Sequence, residues 1–237
     1  RKLLLIGVGD PSSATSATVE RSLMTAVRTG STKADQSAAV DLSSVEFASV
    51  GQSEVARLAA MCLIVAPKGQ DLYKAEKDRH PLKSATLVSA QAAKNDVTQA
   101  VGEGTILGNA INLTRELVNQ HPGELYPASF AKRAAQEAQD AGLECSVLDE
   151  AAIRNERMGS LMGVAQGSER PPRVVVLRHA GGAKDAPWLG LCGKGVTFDS
   201  GGLSLKQSDS MKTMKCDMAG AATVLGAMTA LARLGAK

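Results

Sequence analysis

The sequence predicts an α/β protein, because two kinds of apolar pattern alternate along it. Short uninterrupted apolar runs, typical of buried strands, alternate with segments whose apolar residues recur at three- and four-residue steps, as in amphipathic helices. Of the 237 residues, 44% are hydrophobic and 22% charged, which is ordinary for a globular protein and excludes a disordered chain. Strands and helices in alternation build sheets that are covered by helices.

The first part of the chain carries three strand patterns and two helix patterns. Apolar runs predict strands at Lys2 to Val8, Ser37 to Val45 and Ala85 to Val88. Helical spacing predicts helices at Ala17 to Arg28 and at Ser53 to Leu63. We therefore expect residues 1–93 to form an amino-terminal α/β domain, and this part of the sequence predicts a fold but no functional site.

One long helix is predicted from Asn95 to Val118, within residues 94–118, and the residues themselves favour a buried structural helix. Three glycines, Gly102, Gly104 and Gly108, lie inside it. Each costs about 1 kcal/mol relative to alanine in a helix. Such a cost needs a packing reason, such as the close approach of a second helix.

Residues 119–237 continue with a second set of α/β elements. Proline at a helix start and glycine just after its end are typical helix boundaries. The predicted elements are a helix at Ala128 to Ala141 between Pro127 and Gly142, a strand at Leu143 to Leu148, a helix from Asp149 to near Met158, and strands at Arg173 to His179 and Trp188 to Cys192. This order favours a mixed sheet covered by helices.

A glycine-rich loop with mixed charges follows the last predicted strand. It carries Lys194, Asp199 and Lys206, and Asp217 follows a little later. Two carboxylates and one lysine amine suit Zn²⁺ or Mn²⁺, provided that the lysine is neutral, a form which a nearby cation and burial both favour. The other lysine would keep its proton and face an oxygen that becomes negative during the reaction. From the residue types alone, an ordinary solvated loop remains the alternative.

The segment after this loop predicts an amphipathic helix. Apolar residues recur at helical steps from Met214 to Leu231, which places Asp217 in the first turn. The helix dipole favours a carboxylate there with or without a metal. The small residues at 219–222 permit close approach of this helix to the preceding strand and loop.

Several segments of this second half share their residues with one known family. The segments are Gly193 to Gly202 (GKGVTFDSGG), Ser204 to Lys206 (SLK), Met214-Lys215 (MK), Asp217 to Ala222 (DMAGAA), and, further upstream, Asn112 to Asn119 (NLTRELVN) and Gly163 to Ser168 (GVAQGS). On these residues the chain resembles the leucyl aminopeptidase family, the cytosolic dinuclear-metal aminopeptidases. The resemblance is good from about Gly104 onward and loose before Ala90.

The resemblance implies a role for five residues of the loop region. Lys194, Asp199 and Asp217 would be metal ligands, with Asp199 bridging two divalent ions, Zn²⁺ or Mn²⁺. Lys206 would be the catalytic lysine and would contact the substrate. Met214 would line the pocket for the first side chain of the substrate. The reaction implied is the release of amino-terminal residues, leucine-like ones preferred, from peptides.

The resemblance also implies features of the whole enzyme. The fold would be an amino-terminal α/β domain, a connecting helix and the first part of an α/β/α mixed-sheet metallopeptidase domain, the last at residues 119–237. We expect a cytoplasmic homo-oligomer, a hexamer in the family, with bicarbonate as an additional cofactor.

One family motif does not occur in this sequence. The motif, Asn-Thr-Asp-Ala-Glu-Gly-Arg, supplies two further acidic metal ligands and the arginine that holds the bicarbonate. The chain thus resembles the front part of a longer enzyme and is expected to be inactive alone. The alternative is a catalytically silent binding or scaffold module of the same fold.

Charge, cysteines and histidines argue against several other classes of function. The net charge is only +3, from 27 basic and 24 acidic residues without a basic run, so neither nucleic-acid nor membrane binding is indicated. The four cysteines form no C-x-x-C pair, which excludes a zinc-finger pattern. His80, His121 and His179 show no paired spacing, and we expect them to be solvated or structural.

Overall fold

The structure is a computed structural model that describes residues 3–34, 37–44, 46–90 and 94–237. It forms two compact units, one up to Asn112 and one from Leu113 onward. The elements alternate between helices and short strands, so the predicted α/β class is confirmed. The proposed domain limits at residues 1–93, 94–118 and 119–237 stay a prediction. Among the helices of the described residues, none is long and apolar enough to cross a membrane.

The first unit is built around a strand–helix–strand arrangement. Its elements are α1 (Ser16–Gly30), β1 (Ser37–Asp41), α2 (Gln52–Val65), β2 (Ser84–Val88) and most of α3 (Asn95–Asn119). β1 and β2 pair in parallel, from Ser37 opposite Ser84 to Asp41 opposite Val88. Parallel neighbours need a crossover connection, which the chain between them provides with α2. α2 also fills the centre of the core, where Val55, Ala59 and Cys62 are buried.

Close approach of α2 explains two of the three glycines inside α3. A Cβ on Gly104 would lie 2.1 Å from the carbonyl oxygen of Arg57, and one on Gly108 would lie 3.0 Å from the Ile64 side chain. A Cβ on Gly102 would meet nothing within 4 Å. The expected packing reason is therefore confirmed for Gly104 and Gly108 and is wrong for Gly102.

The strand predicted near the amino end does not form. Residues 3–8 are described and have no strand pairing, and Leu3 and Leu5 are more than four-fifths exposed. An apolar run shows that a segment can be a strand, whereas a strand also needs a neighbour with which to share its backbone hydrogen bonds. Lys2, at the start of that prediction, and Val45, at the end of the next, lie outside the described residues.

The second unit contains the remaining elements. They are α4 (Pro127–Ala141), β3 (Glu144–Leu148), α5 (Glu150–Asn155), α6 (Gly159–Ala165), β4 (Val174–Arg178), α7 (Ser208–Met211), a 3₁₀ turn (Met214–Cys216) and α8 (Ala219–Arg233). β3 and β4 pair antiparallel, from Glu144 opposite Arg178 to Leu148 opposite Val174. In the core of this unit, the end of α3 packs against the start of α8: Leu117, Met218 and Ala222 are fully buried in one cluster.

Helix boundaries in this unit follow local signals. α4 has Pro127 at its first position and ends at Gly142, whose φ of 71° is left-handed, as predicted. α5 starts at Asp149, whose side chain accepts a hydrogen bond from the amide of Ala152 at 2.9 Å. The helix stops at Asn155 rather than near Met158, because Arg157 adopts a left-handed φ of 55°.

Two predictions around the glycine-rich loop are wrong in detail. Residues 188–192, which the structure describes, form no strand, and Trp188 and Leu189 are exposed. α8 begins at Ala219, so Asp217 precedes its first turn instead of lying within it. The segment from Met214 to Cys216 forms a separate 3₁₀ turn, which leaves Asp217 between two helical pieces.

Candidate metal centre and catalytic lysine

Two predicted metal ligands, far apart in the sequence, form an ion pair. Nζ of Lys194 lies 2.5 Å from Oδ2 of Asp217, a residue 23 positions later. The Asp217 side chain is four-fifths buried, whereas that of Lys194 is largely exposed. The structure thus places next to each other two residues that the sequence interpretation assigns to one site, and their role as ligands stays a prediction.

The other two charged residues of the loop also pair with each other. Nζ of Lys206 lies 2.7 Å from Oδ2 of Asp199, and both side chains are about one-third exposed. The amide of Gly201 donates to Oδ1 of Asp199 at 2.8 Å, and the amide of Lys206 donates to the carbonyl of Ser200 at 2.9 Å. Gly201 has a φ of 93°, a conformation that other residues rarely adopt, so glycine is required where the loop turns back.

The amino end of α8 docks directly on the backbone beside Lys194. The amide of Ala221 donates to the carbonyl of Lys194 at 2.8 Å. A Cβ on Gly193 would lie 2.5 Å from the carbonyl oxygen of Gly220, and one on Gly220 would lie 2.9 Å from the Lys194 amide nitrogen. The expected close approach at residues 219–222 is confirmed, and it is what brings Asp217 to Lys194.

Met214 lies beside Lys206. The Nζ of Lys206 donates to the Met214 sulfur at 3.2 Å, and Met214 is half-buried. The residue predicted to line the substrate pocket thus contacts the residue predicted to be catalytic. The roles of both residues stay predictions.

Lys215, for which the sequence predicts no role, connects this region to α3. The Nζ of Lys215 donates to the carbonyl oxygen of Asn119, the last residue of α3, at 2.8 Å. In the sequence, Lys215 belongs to the Met214-Lys215 pair that is shared with the family, but the resemblance assigns it no role. Its partner is a backbone atom 96 positions away, which no local pattern identifies.

The ion pairs set the charge states of the site. The hydrogen bond to Asp217, together with the charges of Asp217 and Asp199, raises the pKa of Lys194. The hydrogen bond from Lys206, followed by that from the Gly201 amide, lowers the pKa of Asp199. Asp199 is therefore available as an anionic ligand, and Lys194 must lose its proton before it can bind a cation.

The donor set fits a divalent cation as one side of a larger site. Two carboxylates supply hard oxygen ligands and a neutral lysine amine supplies one nitrogen, a combination that suits Zn²⁺ or Mn²⁺. Across the described ranges, no group of three or more His, Cys, Asp or Glu side chains could hold a metal by itself. His121 and His179 are engaged elsewhere, with the amide of Gly123 at 3.0 Å and the carbonyl of Ala236 at 2.8 Å. The aspartates and Lys194 are therefore the candidate ligands in this chain.

A family model and curated relatives match this chain. The model for the catalytic domain of the cytosol aminopeptidase family matches residues 112–237. A protein of Rhodopirellula baltica named "Probable cytosol aminopeptidase" is 48% identical over 167 residues, covering 70% of this chain and 32% of its own length. A protein of the same name from Koribacter versatilis is 35% identical and covers 99% of this chain and 48% of its own length.

Solved structures also resemble the chain over nearly its whole length. The structure of the bottromycin maturation enzyme BotP in complex with Mn has a TM-score of 0.82 and 38% sequence identity. It covers 97% of this chain and 47% of the BotP chain. Where the curated relatives match the whole of this chain, it spans about half of their length. The resemblance read from the glycine-rich loop is thereby confirmed, and the chain belongs to the cytosol aminopeptidase family.

Proposed function

We propose that this chain supplies one side of a two-metal aminopeptidase site, together with its catalytic lysine. The observation that carries the proposal is the pairing of Lys194 with Asp217 and of Lys206 with Asp199, because all four residues belong to segments that the chain shares with the family. The proposed reaction is hydrolysis of the first peptide bond of peptides with leucine-like amino ends. Membership of the cytosol aminopeptidase family supports this reaction class.

Each residue has a distinct proposed task. Asp199 and Asp217 would hold the cations as carboxylates, Asp199 as a ligand shared by both, and Lys194 would join as a neutral amine. When bound, two divalent ions lower the pKa of a water molecule and polarise the scissile carbonyl. Lys206 keeps its positive charge and stabilises the oxyanion that develops on that carbonyl. Met214, in contact with Lys206, borders the pocket for the first side chain.

Further properties of the whole enzyme are proposed from the family. The cations are Zn²⁺ or Mn²⁺, and the Mn complex of BotP supports a divalent metal. A bicarbonate ion, a homo-hexameric assembly and a cytoplasmic location complete the proposal, the last supported by the word cytosol in the names of the relatives.

The test is the metal content of the full-length protein. Asp199→Ala removes the bridging carboxylate, so we expect it to abolish tight binding of Mn²⁺ or Zn²⁺, measured by elemental analysis after gel filtration. Asp209→Ala is the matched control, because Asp209 lies in the same region with an almost fully exposed side chain. Wild-type metal stoichiometry in the Asp199 variant contradicts the ligand assignment.

A binding or scaffold role is the second candidate for the 237-residue chain on its own. It is favoured by the donor set, because the described residues offer two carboxylates near Lys194 and no third acidic or histidine ligand beside them. Exposed apolar residues such as Leu189 and Leu203 also favour association with other protein surface. We expect no hydrolysis of leucine anilide by this chain alone with added Mn²⁺ or Zn²⁺. Metal-dependent turnover by a monomer would contradict this expectation.

A further inference from the structure

The carboxyl end of α3 lies against the 3₁₀ turn that precedes Asp217. Most of its last carbonyl groups have partners nearby in sequence: Asn119 Nδ2 donates to the carbonyl of Arg115 at 2.7 Å, and the amide of Gln120 donates to that of Glu116 at 3.1 Å. The carbonyl of Asn119 instead accepts from Nζ of Lys215 at 2.8 Å. Lys215 therefore caps α3 from a distant part of the chain.

This contact combines two favourable effects. A helix end leaves its last carbonyl groups without partners inside the helix, and a donor that reaches one of them satisfies it. The same end carries partial negative charge, which favours a nearby cation. Because Lys215 is half-buried, solvent screens this interaction less than it would at a fully exposed position.

The turn that contains Lys215 carries two side chains of the proposed site. Met214, directly before Lys215, contacts Lys206, and Asp217, two positions after it, pairs with Lys194. The turn is a single 3₁₀ turn, a form with poorer hydrogen-bond geometry than an α-helix. Two backbone hydrogen bonds close it, from the Cys216 amide to the Thr213 carbonyl at 2.9 Å and from the Asp217 amide to the Met214 carbonyl at 3.3 Å, and the second, which holds Asp217 itself, is the longer.

We propose that Lys215 is a positioning residue that fixes Asp217 and Met214 by anchoring their turn to α3. The anchor is rigid, because Leu117 in the last turns of α3 is fully buried against Met218, and Thr114 donates to the carbonyl of Ala222 at 3.1 Å. α3 thus holds the start of α8 through its side chains and holds the preceding turn through Lys215. The proposal rests on the proposed metal-binding function of Asp217.

The role requires a donor at position 215 and does not require contact with substrate. Lys215→Met keeps an unbranched side chain, shorter by one atom, and removes the donor, whereas Lys215→Arg keeps both donor and charge. Lys212→Met is the matched control: Lys212 lies in the same segment, but its side chain is 70% exposed and pairs with Asp209. All three are compared with the wild type in the full-length protein.

Two measurements report on the anchor without depending on activity. In protein stripped of metal by a chelator, amide hydrogen exchange over residues 213–221 should be faster in Lys215→Met than in the wild type and unchanged in Lys212→Met. The dissociation constant for Mn²⁺, measured by titration calorimetry, should rise roughly tenfold to a hundredfold in Lys215→Met, as for other residues that orient metal ligands. In Lys215→Arg, the exchange rate and the Mn²⁺ dissociation constant should both stay within about threefold of the wild-type values.

The outcomes separate this proposal from the one on which it rests. If the wild type binds no Mn²⁺, the proposed function fails, and the exchange experiment still tests the anchor. If the wild type binds Mn²⁺ and Lys215→Met behaves like Lys212→Met in both measurements, the positioning role is overturned. A Lys215→Arg variant as impaired as Lys215→Met also overturns it. Should Lys215→Met not fold, Lys215→Leu, which also lacks a donor, replaces it, and wild-type exchange and Mn²⁺ affinity in that variant contradict the proposal.

Discussion

The close approach of Gly193 to the start of α8 predicts a specific defect in Gly193→Ala. The added Cβ would lie 2.5 Å from the carbonyl oxygen of Gly220 and 2.8 Å from Cα of Ala221, both of them backbone atoms that cannot rotate away. Ordinary contact begins at 3.4 Å, so the start of α8 must retreat by roughly 1 Å. The bond from the Ala221 amide to the Lys194 carbonyl, now 2.8 Å, must lengthen accordingly.

This retreat separates Lys194 from Asp217, which the same helix start positions. Overpacking of this kind costs about 1–3 kcal/mol. A tenfold to hundredfold loss of Mn²⁺ affinity corresponds to about 1.4–2.7 kcal/mol, so the two magnitudes agree. We therefore expect the Mn²⁺ dissociation constant of the full-length Gly193→Ala protein to rise by that factor, with a comparable loss in kcat/KM for a leucine anilide.

The control is Gly190→Ala, three positions earlier in the same segment. A Cβ on Gly190 would meet nothing within 4 Å, so Mn²⁺ affinity and activity should stay within about twofold of the wild type. Calorimetric titration with Mn²⁺ and steady-state kinetics measure both variants. Unchanged Mn²⁺ affinity in Gly193→Ala would refute the reasoning, because the contact could then relax without moving Asp217.

Three further predictions concern the lysine, the helix contact and the thiols. Lys206→Ala in the full-length protein should lower kcat by roughly a hundredfold with metal content unchanged, and a variant with full kcat would exclude an oxyanion role. Gly104→Ala should lower the free energy of unfolding by about 1–3 kcal/mol, because its Cβ would overlap the backbone of α2. Gly102→Ala should raise the free energy of unfolding by up to about 1 kcal/mol, because alanine favours the helix and its Cβ meets no neighbour. Equal unfolding midpoints of the two variants in urea would contradict this contrast. Burial raises the pKa of the Cys62 thiol to about 12. At pH 8 a disulfide reagent should therefore label the exposed Cys145 at least roughly tenfold faster than the buried Cys62. Equal labelling rates of the two thiols, measured by peptide mass spectrometry, would contradict this prediction.

Local signals in the sequence were enough for most helices. The predicted helix at Ala128 to Ala141 is observed as Pro127–Ala141, because proline, glycine and helical spacing agree there. Strands were predicted correctly only where a neighbour exists, as at Arg173 to His179, observed as Val174–Arg178. Trp188 to Cys192 has the same apolar character but forms no strand. A strand depends on backbone hydrogen bonds to a second segment, and an apolar run does not show whether such a segment lies beside it.

For the candidate site, too, the sequence predicts which residues take part but not which of them contact each other. Residue types and the family motif identified Lys194, Asp199, Lys206 and Asp217, and the structure brings them together in two pairs. Which lysine pairs with which aspartate depends on where α8 docks, and the helix start at Ala219 was itself predicted too early. Lys215 was missed because its partner is a backbone carbonyl at the end of a different helix.

The site itself can be tested most directly by locating the metal. Crystals of the full-length protein grown with Mn²⁺, with data collected near the manganese absorption edge, give anomalous density wherever the ion binds. We predict peaks within about 2.0–2.3 Å of Nζ of Lys194 and of the carboxylate oxygens of Asp199 and Asp217, with Nζ of Lys194 no longer bonded to Asp217. Manganese peaks at other residues, with the Lys194–Asp217 ion pair intact, would contradict the assignment of these residues as the metal centre.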